Sequence, residues 1–172
     1  MSDGHFNRFE KIEATEPSVL NELEDGPWGS IFEFEEILVL AKHMSAYRLK
    51  KGHTLFKQGD RLPFVCFVVK GAVSVYKEDA LGDIKKLIDL RSGKTLGEMS
   101  LIDGEPRSAT CKAMVDTDVL ILDQEGLEKL EARYPHVALA LMSSLAKDIS
   151  RRLRKTTGTL LNASGDADPI MF

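Results

Sequence analysis

Between residues 47 and 123, short apolar runs alternate with polar, glycine-bearing breaks. That rhythm predicts a succession of strands joined by tight turns. Thr54-Leu55-Phe56 lies between the turn signals Lys51-Gly52 and Gly59-Asp60. Phe64 to Val69 is a near-continuous apolar run closed by Lys70-Gly71. Val73, Val75 and Tyr76 alternate with smaller or polar side chains, Leu81-Gly82-Asp83 marks a hairpin tip, and Ile84 to Leu90 returns as a strand before the turn at Ser92-Gly93. Thr110 to Val115 and Val119 to Leu122 are the last two strands. Many short strands with glycine turns predict a closed jelly-roll or β-roll.

Outside this section the spacing of apolar residues changes to three and four. Ser30, with Glu33 three residues on, has the form of a capping box. It predicts a helix from Ile31 to about Met44 with Ile31, Phe34, Leu38 and Ala41 on one face. Asp123 is placed to cap a short helix, Gln124 to Arg133, whose Leu127, Leu130 and Tyr134 face the roll. Pro135 ends that helix, and a longer one is expected from His136 to Thr157, stopping at Gly158. Along it Leu139, Met142, Leu145, Ala146, Ile149 and Leu153 form an apolar stripe. The expected fold class is α+β: an antiparallel, jelly-roll-like β-roll over about 47–123, flanked by an N-terminal helix and two C-terminal helices over 124–157. One domain would span 30–157, followed by a flexible tail at 158–172. Residues 1–29 hold seven acidic side chains against two basic ones, with Pro17, Gly26 and Pro27. They read as an acidic arm with a short helix near Val19 to Leu23, partly disordered or packed on a partner.

Composition narrows the function. The chain has 172 residues, 43% of them hydrophobic, a net charge of −4 and a pI near 5.6. An acidic balance argues against a protein whose main task is neutralising nucleic-acid phosphates. No apolar run has the length of a membrane span, and the start lacks a signal core, so a cytoplasmic protein with no membrane contact is expected. Cys66 and Cys111 sit in strand-like runs and read as reduced core residues. His5, His43, His53 and His136 are scattered, without the paired spacing that a metal-dependent β-roll enzyme needs. No catalytic or metal-binding residues are assigned, and a non-enzyme is expected.

The chemistry concentrates in residues 96–110, Leu-Gly-Glu-Met-Ser-Leu-Ile-Asp-Gly-Glu-Pro-Arg-Ser-Ala-Thr. Gly97-Glu98 is followed, nine residues after the glutamate, by Arg107-Ser108-Ala109. A glycine turn into a short helix leaves backbone N–H groups free for an anion. Arg107 adds a guanidinium fork for phosphate oxygens, and Glu98 an acceptor for a sugar hydroxyl. Those groups together suit a nucleotide with a single phosphate.

Gly97, Glu98, Leu101, Arg107, Ser108 and Ala109 fill the positions of the phosphate-binding cassette of cyclic nucleotide-binding domains, which the segment resembles. The family includes domains of kinase regulatory subunits, gated channels and bacterial catabolite activators. "Gly-x-Thr-Leu-Phe-x-x-Gly-Asp" at Gly52 and "Val-x-Lys-Gly-x-Val-x-Val" at Val68 are also frequent in it. The resemblance implies that Arg107, the N–H groups of Met99 to Leu101 (including Ser100) and the Ser108 hydroxyl hold the cyclic phosphate. It implies that Glu98 accepts from the ribose 2′-hydroxyl, and that Val75, Leu90 and Leu96 flank sugar and base. A plainer alternative is that Glu98 and Arg107 only bridge one another across a loop.

Arg151-Arg152-Leu153 with Thr156 and Thr157 is similar to the activators' long helix, which makes the two threonines candidate adenine contacts, one of them from a partner subunit. That reading favours cyclic AMP, although Ser108 is also compatible with cyclic GMP, and solvated threonines at a frayed helix end are the alternative. The basic run Arg151 to Lys155 itself reads as a solvated face rather than a nucleic-acid patch. The resemblance further implies a homodimer through the long helix. No helix-turn-helix fits in the remaining residues, so no direct DNA contact is expected, and the output would pass to an unknown effector protein. The rival is an interaction module with a vestigial pocket.

Overall fold

The computed structural model of the chain describes residues 3–163. With strands numbered in chain order, one antiparallel sheet runs β1 (Glu10–Ile12), β2 (Ser45–Leu49), β9 (Thr117–Asp123), β4 (Phe64–Lys70), β7 (Thr95–Leu96). The other runs β3 (Thr54–Phe56), β8 (Thr110–Ala113), β5 (Ala72–Glu78), β6 (Ile84–Arg91). The expected antiparallel roll is present, and the section predicted from Tyr47 starts two residues earlier, at Ser45.

Strand periodicity explains the layering. Side chains alternate across a strand, and β4 is apolar on both faces because each face meets a different core. Phe64, Cys66 and Val68 join Leu49, Leu55, Val73 and Cys111 between the two sheets. Val65, Phe67 and Val69 turn the other way, into a core shared with the helices. In β9, Val119 and Ile121 likewise face the first core, Leu120 and Leu122 the second. Both cysteines are free and buried; burial pushes both thiols up, that of Cys111 to about 12, so neither is a ready nucleophile.

The helical layer comprises α2 (Pro17–Glu24), a 3-10 turn at Pro27–Ser30, α3 (Phe34–Lys42), α5 (Gln124–Arg133) and α6 (Pro135–Ala163), which bury Leu20, Trp28, Leu40, Leu130 and Leu141 against the five-stranded sheet. Asp123 caps α5 as expected, accepting from the Gly126 N–H at 2.9 Å. Among the described residues no helix is long and apolar enough to cross a membrane.

Four expectations change. From Asp3 onward the acidic arm is built into the fold of its own chain. Through α1 (Asp3–Phe6), β1 and α2 it packs on its own chain, with Phe6 and Phe9 in the inter-sheet core and the Phe6 ring stacked 5.0 Å from that of Tyr47. Its charges are the solvated face of segments whose apolar residues are buried. The cap of the N-terminal helix is Glu33, which shares a capping box with Glu36, while the Ser30 hydroxyl donates to the Pro27 carbonyl at 2.7 Å and closes the preceding turn. The buried face is therefore Ile37, Leu40 and Ala41, and Ile31 and Phe34 are 41% and 42% exposed. Finally, α6 continues through Gly158 to Ala163, because Gly158 does not take the positive φ that would end it. The rest of the expected tail, 164–172, lies outside the described residues.

Candidate functional site

β7 leads into Gly97, whose φ of +78° turns the chain into α4 (Glu98–Asp103). A Cβ at Gly97 would lie 2.3 Å from Arg107 Nη1, so both the conformation and the space require glycine. Gly104, at φ +72°, ends α4, and the chain returns through Arg107 into β8. Beside this turn lies a cavity of about 370 Å3. Among its lining residues are the expected Val75, Leu90, Leu96, Gly97, Glu98, Met99, Ser100, Arg107, Ser108 and Ala109. Leu101 is absent from the lining because its side chain points into the helix-side core. Phe56, Ile88, Lys94, Arg152 and Lys155 also line it, and sequence reasoning had not placed them there.

Arg107 is 2% exposed. Its Nη1 donates to the Gly97 carbonyl at 2.6 Å and its Nη2 to the Phe64 carbonyl at 2.8 Å. The guanidinium carbon lies 4.2 Å from the Phe56 ring centre and 4.0 Å from that of Phe64, within cation–π range. Burial pulls its pKa down to about 10, which leaves it cationic at neutral pH. Its Nε is buried with no hydrogen-bond partner.

Glu98 is 3% exposed, and its cation is Arg152 of α6, not Arg107. Arg152 Nη1 donates to Glu98 Oε1 at 2.7 Å, and Nη2 donates to the Thr95 carbonyl at 2.7 Å. The simple Glu98–Arg107 bridge is therefore not what forms. Arg152 also departs from the expected solvated basic face, because its guanidinium reaches Glu98 and the Thr95 carbonyl. Glu98 Oε2 is buried without a partner. Burial pushes the Glu98 carboxyl above its ordinary value, an effect the Arg152 charge only partly offsets.

Thr156 and Thr157 are exposed and do not line the cavity of their own chain. Each hydroxyl donates to a carbonyl one turn back, of Arg152 and Leu153, both at 3.0 Å. The side chain that α6 brings to the cavity from this stretch besides Arg152 is Lys155.

A model of the cyclic nucleotide-binding domain matches residues 47–134. The cyclic AMP receptor protein of Thermus thermophilus is 33% identical over 121 residues, covering 70% of this chain and 54% of that protein. Among solved structures, a cyclic nucleotide-binding domain from Methylobacillus flagellatus superposes with a TM-score of 0.76 at 26% identity, over 90% of this chain and 85% of the other. The catabolite activator protein of Thermus thermophilus does so with a TM-score of 0.64 at 34% identity, over 76% and 59%. The chain spans about half the length of the curated relatives it matches, 54% both of that receptor protein and of a cAMP-activated global transcriptional regulator of Mycobacterium tuberculosis. The matched span holds the greater part of both sheets and the whole cassette with its cavity turn, and the chain belongs to the cyclic nucleotide-binding domain family.

Proposed function

We propose that this chain is a regulatory sensor that binds a cyclic nucleotide, cyclic AMP in the first place, and passes its occupancy to a separate effector through α6. The observation that carries the reading is Glu98: a buried carboxylate with one oxygen tied to α6 and the other without a partner. A ribose hydroxyl donating to Oε2 would complete it. Arg107 Nε, the Ser108 hydroxyl and the first-turn N–H groups of α4 offer donors for the cyclic phosphate. The apolar side chains of Val75, Leu90 and Leu96 suit the sugar and base.

Cyclic AMP is favoured by similarity to a protein described as a cyclic AMP receptor and by Thr156 and Thr157, whose hydroxyls would serve the cavity of a second copy. α6 supports such a dimer. Leu139, Met142, Ala146, Ile149 and Leu153 follow alternating three- and four-residue steps, and Leu139 and Leu153 are 72% and 65% exposed. That is the spacing of a two-helix seam. Signalling then follows from population shift: ligand competes for or reinforces the Glu98–Arg152 tie and so biases where α6 sits.

The test is calorimetric titration with cyclic AMP and cyclic GMP after refolding to remove carried-over nucleotide. Saturable binding with cyclic AMP preferred is expected, with affinity about tenfold or more weaker in Glu98→Gln, the size of one charge-assisted hydrogen bond. Arg107→Leu should abolish binding, and Glu98→Gln is the cleaner variant because Arg107 also holds two backbone carbonyls. Absence of binding to either nucleotide would leave an interaction module with a vestigial pocket.

A further inference from the structure

A second cavity, of about 410 Å3, shares one wall residue, Lys94, with the first. The 3-10 turn of the arm, the Gly93-Lys94 turn and the Ala140–Arg151 stretch of α6 enclose it. Its edge is built by close approach: Gly93 has φ +80°, and a Cβ there would lie 2.5 Å from Pro27 Cδ. Its volume is in the range of small-molecule pockets, about 300–1,000 Å3.

The chemistry of the lining is one-sided. Trp28 forms an apolar wall, its ring 4.8 Å from that of Phe67, and its indole N–H is buried with no acceptor. A buried donor without an acceptor is costly and calls for a partner. Among the described residues the Lys94 and Lys147 side chains make no ion pair or hydrogen bond, and the Ser143 and Ser144 hydroxyls have no partner either. The lining carboxylate, Asp148, is already paired with Arg151 at 3.3 Å. The cavity therefore offers two uncompensated ammonium groups and several free donors next to a flat apolar wall.

We propose that this cavity is a second ligand site, for a small phosphomonoester with a planar apolar body. The phosphate would lie among Lys94, Lys147 and the serine hydroxyls, and the body against Trp28. A phosphomonoester is close to a dianion at neutral pH, which matches two free cations. The inference stands apart from the reading of the first cavity, because Trp28, Ser143 and Lys147 do not line that one.

Trp28 is the chain's single tryptophan, so its fluorescence reports on this cavity. The full chain is titrated with phenyl phosphate at constant ionic strength, following fluorescence and heat. A saturable signal with Kd on the order of 1 mM or tighter is expected. Lys147→Glu and Ser143→Asp should each weaken it by about tenfold or more, whereas Lys112→Glu, the same charge change outside both cavities, should not. Two results overturn the site: no saturable signal by either method, or equal weakening by Lys147→Glu and Lys112→Glu, which would mean bulk electrostatics. Titration with cyclic AMP in the Lys147→Glu protein reads the first cavity separately, so failure of one site is visible without failure of the other.

Discussion

Burial disfavours the charged form of both cassette charges, but the two differ in how fully their own chain compensates them. Arg107 donates to two carbonyls and lies between two aromatic rings, so it holds the fold together without any ligand. Glu98 is raised above its ordinary pKa of 4.5 by burial, so its ionised form is a cost of the folded state. A raised carboxyl adds stability that is complete below 4.5 and is lost as pH climbs through the native value. Glu98→Gln removes that dependence while its amide oxygen can still accept from Arg152. Melting temperatures of the ligand-free proteins from about pH 4.5 to 7.5 should show the variant gaining on the parent as pH rises; a constant difference would contradict the assignment. Glu98 and Arg107 could be read from sequence because they lie nine residues apart within one local pattern. Arg152 could not: its partner is 54 residues away, and nothing in the run Arg151 to Lys155 distinguishes the side chain that turns inward.

At the scale of elements, legibility follows the number of apolar faces. β4 and β9 serve two cores and announce themselves as unbroken apolar runs. β1 is Glu-Lys-Ile, with no strand signal of its own, and exists because β2 offers it a partner in the register Lys11↔Tyr47. The arm's other anchors, Phe6 and Phe9, are single aromatics among charges, and their burial depends on a gap in the roll that only tertiary structure creates. Phe6, 4% exposed, packs on Tyr47 and Phe64. Phe6→Ala should therefore cost about 3–5 kcal/mol in chemical denaturation. A loss within experimental error of zero would mean that the arm contributes nothing to the fold. The shift of the α3 cap from Ser30 to Glu33 has the same origin: Phe32, 3% exposed, is buried before the helix begins, which the capping pattern alone does not reveal.

At the scale of the molecule, α6 belongs to two environments. Val137, Ala138, Leu141 and Leu145 face the chain's own core, while Leu139 and Leu153 face outward. In a dimer through that outer face, Leu139→Glu with Leu153→Glu should convert the protein to monomer in sedimentation without lowering its melting temperature as core substitutions do. If Thr156 and Thr157 serve a neighbour's cavity, the same double variant should also weaken cyclic AMP. The division of labour between Arg107 and Glu98 bears on descent as well. In a lineage that no longer met the ligand, selection for folding alone would keep the arginine, because replacing it strands two carbonyls. The glutamate would have no such protection, and drift would tend to replace it with a neutral side chain that the empty pocket tolerates better. In branches of this kind the presence of glutamate is a better record of continued ligand use than the presence of arginine.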